Sequence, residues 1–299
     1  MNSAFHACMS SLTQVDPYFI YYLTVKSTGC APTERAQSKS LMDTRKEGET
    51  METPKEETFH SFTSEELLGP LNDVEKRYAP ERLYVSGNLQ HVPLSGPRAA
   101  IIGSRKASPE GIKVASNIAK VLVKNEVIVV SGLAEGIDTA AHKTTIEEGG
   151  YTIAVLGTPL DHVYPAKNFQ LQQTIMHQHL AISQFPTGYP IQPKNFVIRN
   201  RTMALLSNAS IIVEAGEKSG SLHQGWEALR LGRPLFIWKS IMNDRSLTWP
   251  KKMLEYGAVE LTEPEEVIDV LPSSKGILNW GQLYRLEEVR YSHSVNYLP

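Results

Sequence analysis

The stretch Lys194–Leu222, KNFVIRNRTMALLSNASIIVEAGEKSGSL, sets a basic clamp, a buried strand and a small-residue helix start in close succession. Ile211-Ile212-Val213 is a β-branched run with Ser210 before it and Gly216 shortly after, the pattern of a parallel strand buried on both faces. Upstream, Arg199, Asn200 and Arg201 precede the apolar Met203-Ala204-Leu205-Leu206. A helix over Thr202–Leu206, seated by those apolar residues, would carry two guanidiniums and an amide at its first turn, and arginine forks bind phosphate oxygens bidentately. Downstream, Ala215 to Ser221 is small and polar before a helical stretch from Leu222. Ligands of open α/β sheets bind at such strand ends, where helix N-termini offer N–H groups to anions.

The same alternation extends in both directions. Strands are expected at 99–103, 127–130, 151–156, 180–183, 211–213 and 234–238, with helices after Ser108-Pro109-Glu110 and from Asp138, and at 168–177, 202–206 and 222–231. In the first of these helices Ile112, Ala115, Ile118, Ala119 and Leu122 keep the helical period. The fold class is therefore α/β: a Rossmann-like, doubly wound, mostly parallel sheet with helices on both faces, over residues 96–272. A further helix at 264–271 closes it. Residues 61–95 read as a lead-in, with a helix starting at Thr63-Ser64-Glu65-Glu66 and a strand at 82–88. Residues 1–60 are polar and read as a flexible tether, and 273–299 as a tail. Tyr18–Val25 is the apolar exception in the tether, a short strand or a partner anchor.

Composition narrows the class. The net charge is −2, which argues against bulk electrostatic attraction to nucleic acid. Residues 1–80 hold eight Lys and Arg against twelve Asp and Glu, leaving twenty-two against twenty beyond them, so any anion site must be a local cluster. Two cysteines, Cys8 and Cys30, and no zinc spacing suggest a disulfide-free cytoplasmic protein without a metal. No apolar run suggests a signal peptide or a membrane span.

Three loops fall at strand ends with a glycine beside a small hydroxyl: Gly103-Ser104-Arg105-Lys106, Ser131-Gly132 to Gly136, and Ser219-Gly220-Ser221. Glycine admits a ligand to the backbone, and hydroxyls and N–H groups donate to phosphate. With Arg105, Lys194, Arg199 and Arg201 nearby, the three form an anion-binding constellation. Neither a dinucleotide fingerprint nor a P-loop is present, and no cofactor is expected. Asp138 and His142 are four apart on one helical face, read as a helix-start carboxylate and a packed histidine in preference to a catalytic pair. Glu214 reads as a base, a ligand contact or an arginine partner.

The series GSRKAS (103–108), SGLAEGIDTAAH (131–142), TIAVLGTPLDHVYPAKN (152–168), FVIRNR (196–201) and EAGEKSGSL (214–222) resembles the DNA-processing protein A (DprA/Smf) family in order and spacing. The resemblance implies a Rossmann-like domain that binds single-stranded DNA in a basic pocket, forms a homodimer and hands the strand to a RecA-type recombinase in natural transformation. By position, Arg105 matches the family's Gly-Ser-Arg arginine, and Lys194 and Phe196 fall where a basic and an aromatic residue precede Arg-Asn-Arg. A lysine for phosphate and a ring for a base also suit single-strand binding on first principles. The chain departs from the family at Gln184, at His223-Gln224-Gly225-Trp226 and at Lys239-Ser240, and neither accessory module is recognisable. These departures also fit a divergent member working in phage defence. The expected activity is binding without catalysis. The competing class is a nucleotide sensor or hydrolase of similar fold, whose Pro-Gly-Gly-x-Gly-Thr-x-x-Glu motif this chain lacks.

Overall fold

The computed structural model describes residues 59–272. The Tyr18–Val25 patch, both cysteines, the tether up to residue 58 and the tail lie outside the described residues. Strands β1 (His60–Phe62) and β2 (Leu83–Gly87) bracket helices α1 (Ser64–Leu68) and α2 (Asp73–Lys76). Then β3 (Arg98–Gly103), α3 (Pro109–Lys124), β4 (Ile128–Ser131), α4 (Ile137–Glu147), β5 (Thr152–Leu156), α5 (Phe169–Gln178) and β6 (Leu180–Ser183) alternate. They are followed by α6 (Pro193–Leu206), β7 (Ala209–Glu214), α7 (Ser221–Arg230) and β8 (Leu235–Trp238). Short helices α8 (Lys239–Met242) and α9 (Trp249–Glu255), strand β9 (Val259–Leu261) and a 3-10 segment at Pro264–Val270 complete the described chain.

One sheet holds all nine strands in the order β1-β2-β6-β5-β4-β3-β7-β8-β9. Every neighbouring pair from β6 to β9 is parallel. The chain builds outward from β3 through β4, β5 and β6, then returns to lay β7 on the other side of β3. The switch point of this doubly wound fold is thus at β3, and its open crevice is at the C-terminal ends of β3 and β7.

Residues along β3 alternate between two cores. Ala99 and Ile101 pack with Ala115, Ile118, Ala119 and Leu122 of α3, whereas Ala100 and Ile102 pack with Met203 and Leu206 of α6. Both faces are covered, which is why the strand sequences are apolar without interruption. Ser108 caps α3 by accepting from the Gly111 N–H at 2.9 Å, with Pro109 in the first turn, as the sequence requires. A Thr63/Glu66 capping box starts α1.

The structure departs from the sequence reading in several places, the unforeseen short helices α2, α8 and α9 among them. The lead-in is the antiparallel flank of the same sheet, because β2 pairs with the outer edge of β6 and β1 with β2. An edge left bare there would invite pairing with other chains. The helix expected at 202–206 begins at Pro193. Arg199, Asn200 and Arg201 are therefore mid-helix residues, not a first turn. The last expected helix is a 3-10 segment, and β9, a parallel edge strand, was not foreseen. Among the described residues no helix is long and apolar enough to cross a membrane.

His142 of α4 is fully buried, with Nδ1 2.7 Å from the Thr152 hydroxyl and no partner for Nε2. Burial, and then the charges of His179 and Arg199, push its pKa down from 6.5 to about 3. The unfolded chain takes up this proton near the ordinary value and the folded chain resists it, so the unfolded state binds more protons in between. His142 therefore favours folding above pH 6.5, and that contribution is lost as pH falls toward about 3. The loss is at most about 1.4 kcal/mol per pH unit. Thermal melts at about pH 7.5 and about pH 5.5 should show a clear drop that His142→Gln flattens. An equal drop in the variant would remove His142 as its source.

Candidate functional site

The switch-point crevice is a cavity of about 830 Å³. The β3–α3 loop (Gly103, Ser104, Arg105, Lys106) forms one wall and the β7–α7 loop (Lys218, Ser219, Gly220, Ser221) another. Helix α6 closes the third side with Phe196, Arg199 and Asn200. Local chemistry fixes these walls. Ser104 N–H donates to the Glu214 carbonyl at 2.7 Å, and the Ile137 N–H to the Ser104 carbonyl at 3.2 Å. Gly136 has φ of +79°, and a Cβ there would collide with the Ser104 carbonyl, so only glycine lets the β4 and β3 loops meet. Asn200 Nδ2 donates to the Gly220 carbonyl at 3.0 Å and ties α6 to the β7 loop. The N-cap residue of α7, Gly220, has no side chain to cap the helix, whose positive end borders the cavity at Gly220 and Ser221.

An aromatic and cationic ladder stands on the lining. The Arg105 guanidinium lies 5.5 Å over the Phe196 ring, and the Phe196 and Tyr164 rings are 5.1 Å apart and tilted. Tyr164 is 47% exposed, leaving a ring face for a ligand. Gly157 makes room for Phe196: a Cβ at that position would be 2.5 Å from its Cδ1. Arg105 and Lys106 are exposed, and Lys218 joins them on the lining.

Several expected site residues have other roles. Arg199 is buried, and its Nη1 donates to the Gly132 carbonyl at 2.5 Å and the Val155 carbonyl at 2.6 Å. It borders the cavity while holding β4, β5 and α6 together through these carbonyls. Burial lowers its pKa to about 10, opposed by the charge of Asp138. Asp138 accepts from the N–H groups of Gly132 at 3.2 Å and Ala134 at 3.3 Å, and burial raises its pKa against the pull of Arg199. Gly132 lies under the Arg199 guanidinium, where any Cβ would clash. Ser131 donates to the Ile101 carbonyl at 2.7 Å and is fully buried. Arg201 pairs with Glu227 at 3.1 Å, outside the lining. Lys194 is also outside it, exposed in the first turn of α6 beside lining residues Gln192 and Pro193. The Glu214 carboxylate is tied to the start of α3 and not, among the ion pairs of the described residues, to an arginine. It takes the Ser108 N–H at 3.1 Å and the Ser108 hydroxyl at 2.5 Å.

The remaining candidates, Gly103, Ser104, Arg105, Lys106, Phe196, Asn200, Ser219, Gly220 and Ser221, all line the cavity. Tyr164 and Lys218 are additions. Tyr164 lies in the connection between β5 and α5, within the quoted TIAVLGTPLDHVYPAKN series. Lys218 lay in the quoted stretch but was masked by its small neighbours. The family model of DNA recombination-mediator protein A matches residues 62–272, which spans strands β2 to β9 and every wall of this cavity.

The chain belongs to the DNA recombination-mediator protein A family. Its sequence is 37% identical over 210 residues to DNA processing protein DprA of Streptococcus pneumoniae, covering 70% of this chain and 73% of that one. It is 32% identical over 193 residues to the Bacillus subtilis DprA, covering 64% of this chain and 65% of the relative. Against Escherichia coli protein Smf the match is 35% identical and spans about half of the relative, 51%. The crystal structure of S. pneumoniae DprA superposes with a TM-score of 0.62 at 35% identity, over 72% of this chain and 75% of the other. That of DNA processing protein A from Helicobacter pylori, described for its single-stranded DNA binding mode, gives 0.61 at 26% identity over 72% and 95%.

Proposed function

We propose that the domain binds single-stranded DNA at the switch-point cavity and acts by binding in DNA processing, as a cytoplasmic homodimer that passes the strand to a RecA-type recombinase in natural transformation. The observation that carries the reading is the Arg105–Phe196–Tyr164 ladder on the lining of a cavity that also holds Lys106 and Lys218. Single-strand binding needs a cationic track for phosphates and rings on which bases stack, and the ladder places both together. The H. pylori relative's described DNA binding mode supports the same ligand. A role without catalysis is supported by Asp138 and Glu214, two carboxylates in the strand-end loops, since both are engaged by backbone N–H groups.

Arg105→Ala and Lys194→Ala test the reading. Each is expected to weaken binding of a labelled strand of about 30 nucleotides by roughly three- to tenfold. Neither should shift the melting temperature, because both side chains are exposed. Wild-type affinity in both variants, with the fold intact, would remove the cavity as the binding site.

A further inference from the structure

A second cationic and aromatic cluster lies outside the cavity, where the lead-in meets α6 and α7. Tyr78, 37% exposed, follows α2. The guanidinium carbons of Arg230, Arg201 and Arg77 approach its ring centroid at 4.6, 5.3 and 5.6 Å. Glu227 takes Nε of Arg201 at 3.1 Å and Nε of Arg230 at 2.7 Å, so one carboxylate is divided between two guanidiniums. Arg77 adds a third positive charge to the same ring and is itself exposed. Concentrated cations of this kind stand out in a chain whose net charge is −2.

Packing alone does not require them all. The Arg233–Glu75 pair at 2.6 Å already ties α2 to the core, and Arg233 Nη1 also caps the end of α6 by donating to the carbonyls of Ala204 and Leu205. The cluster is also aligned with the cavity. Asn200 lines the cavity and Arg201 is its neighbour on α6, while α7 begins at the lining residue Ser221 and ends at Arg230. At 1.5 Å per residue that helix carries a path of about 14 Å from cavity to cluster.

We propose that Arg77, Tyr78, Arg201 and Arg230 form a second contact for the same single strand, engaging phosphates and a base after the strand leaves the cavity along α7. This rests on the single-stranded DNA reading of the cavity. Guanidiniums gathered over a partly exposed ring supply phosphate contacts, and their planes with the ring offer a stacking surface.

The test compares a strand of about 6 nucleotides, enough to fill the cavity, with one of about 20 nucleotides, long enough to reach the cluster. Arg77→Glu is the primary variant, because Arg77 is exposed and its loss leaves the α2 anchor intact; Tyr78→Ala is the second. Arg77→Glu should weaken the long strand roughly three- to tenfold, and Arg77→Ala should reduce its salt slope by about 0.7. Neither should change binding of the short strand. Arg105→Ala should weaken both strands. Unchanged long-strand affinity in Arg77→Glu, or an equal loss for both lengths, would overturn the second contact while leaving the cavity reading in place. Failure of wild-type protein to bind either strand would instead overturn the cavity reading and the second contact with it.

Discussion

Arg199→Ala should destabilise the domain by about 3–5 kcal/mol, the largest effect expected of any residue in the Arg-Asn-Arg motif. Its Nη1 serves two buried backbone carbonyls, of Gly132 and Val155, which belong to the ends of neighbouring parallel strands. Truncation leaves both without a donor and removes the positive charge that opposes the burial of Asp138. Lysine restores the arrangement only in part, since its shorter side chain must bring a compact, more strongly hydrated ammonium into the same buried position. Arg199→Lys should therefore recover only part of the loss. Denaturant unfolding of both variants beside Arg105→Ala separates a structural arginine from a ligand-facing one. A stable Arg199→Ala protein with impaired DNA binding would assign Arg199 to the ligand and contradict its role as a strand tie.

Phe196→Ala should weaken single-strand binding by roughly 5- to 150-fold, the cost of losing one base-stacking ring at about 1–3 kcal/mol. The ring sits between Arg105 and Tyr164 and over Gly157, so its position is set by the loop after β3 and the connection between β5 and α5. It is half-buried, and its removal should cost much less stability than Arg199→Ala. Phe196→Tyr or Phe196→Trp should keep most of the affinity, because stacking needs a π face and not a particular ring. Anisotropy titrations of the alanine and tryptophan variants decide this. Equal loss in both would mean that Phe196 shapes the cavity without stacking on a base.

The doubly wound sheet was legible because its strands are buried on both faces, which forces continuous apolar runs such as Ala99–Ile102 and Ile211–Val213. Loop positions followed from the same register, so the glycine and hydroxyl residues of the β3 and β7 loops were found. Helix α6 was read short because Asn195, Arg199, Asn200 and Thr202 are all buried polar residues, which erases the apolar period in its first half. Pro193 in its first turn was the available signal. The burial of Arg199 had no such signal, since arginine is almost never fully buried and its partners are backbone carbonyls that no side-chain pattern announces. The pairing of β2 with β6 joins segments far apart in the chain and is likewise invisible to local periodicity.

The most direct test of the DNA-binding cavity is fluorescence anisotropy of the purified protein with a labelled strand of about 30 nucleotides across a salt series, with duplex and mononucleotide as competitors. Affinity that falls steeply with salt, is resisted poorly by duplex or mononucleotide competitors, and drops in Arg105→Ala and Phe196→Ala is the predicted result. Absence of strand binding at low salt, together with saturable binding of a mononucleotide, would contradict it and make the cavity a nucleotide site.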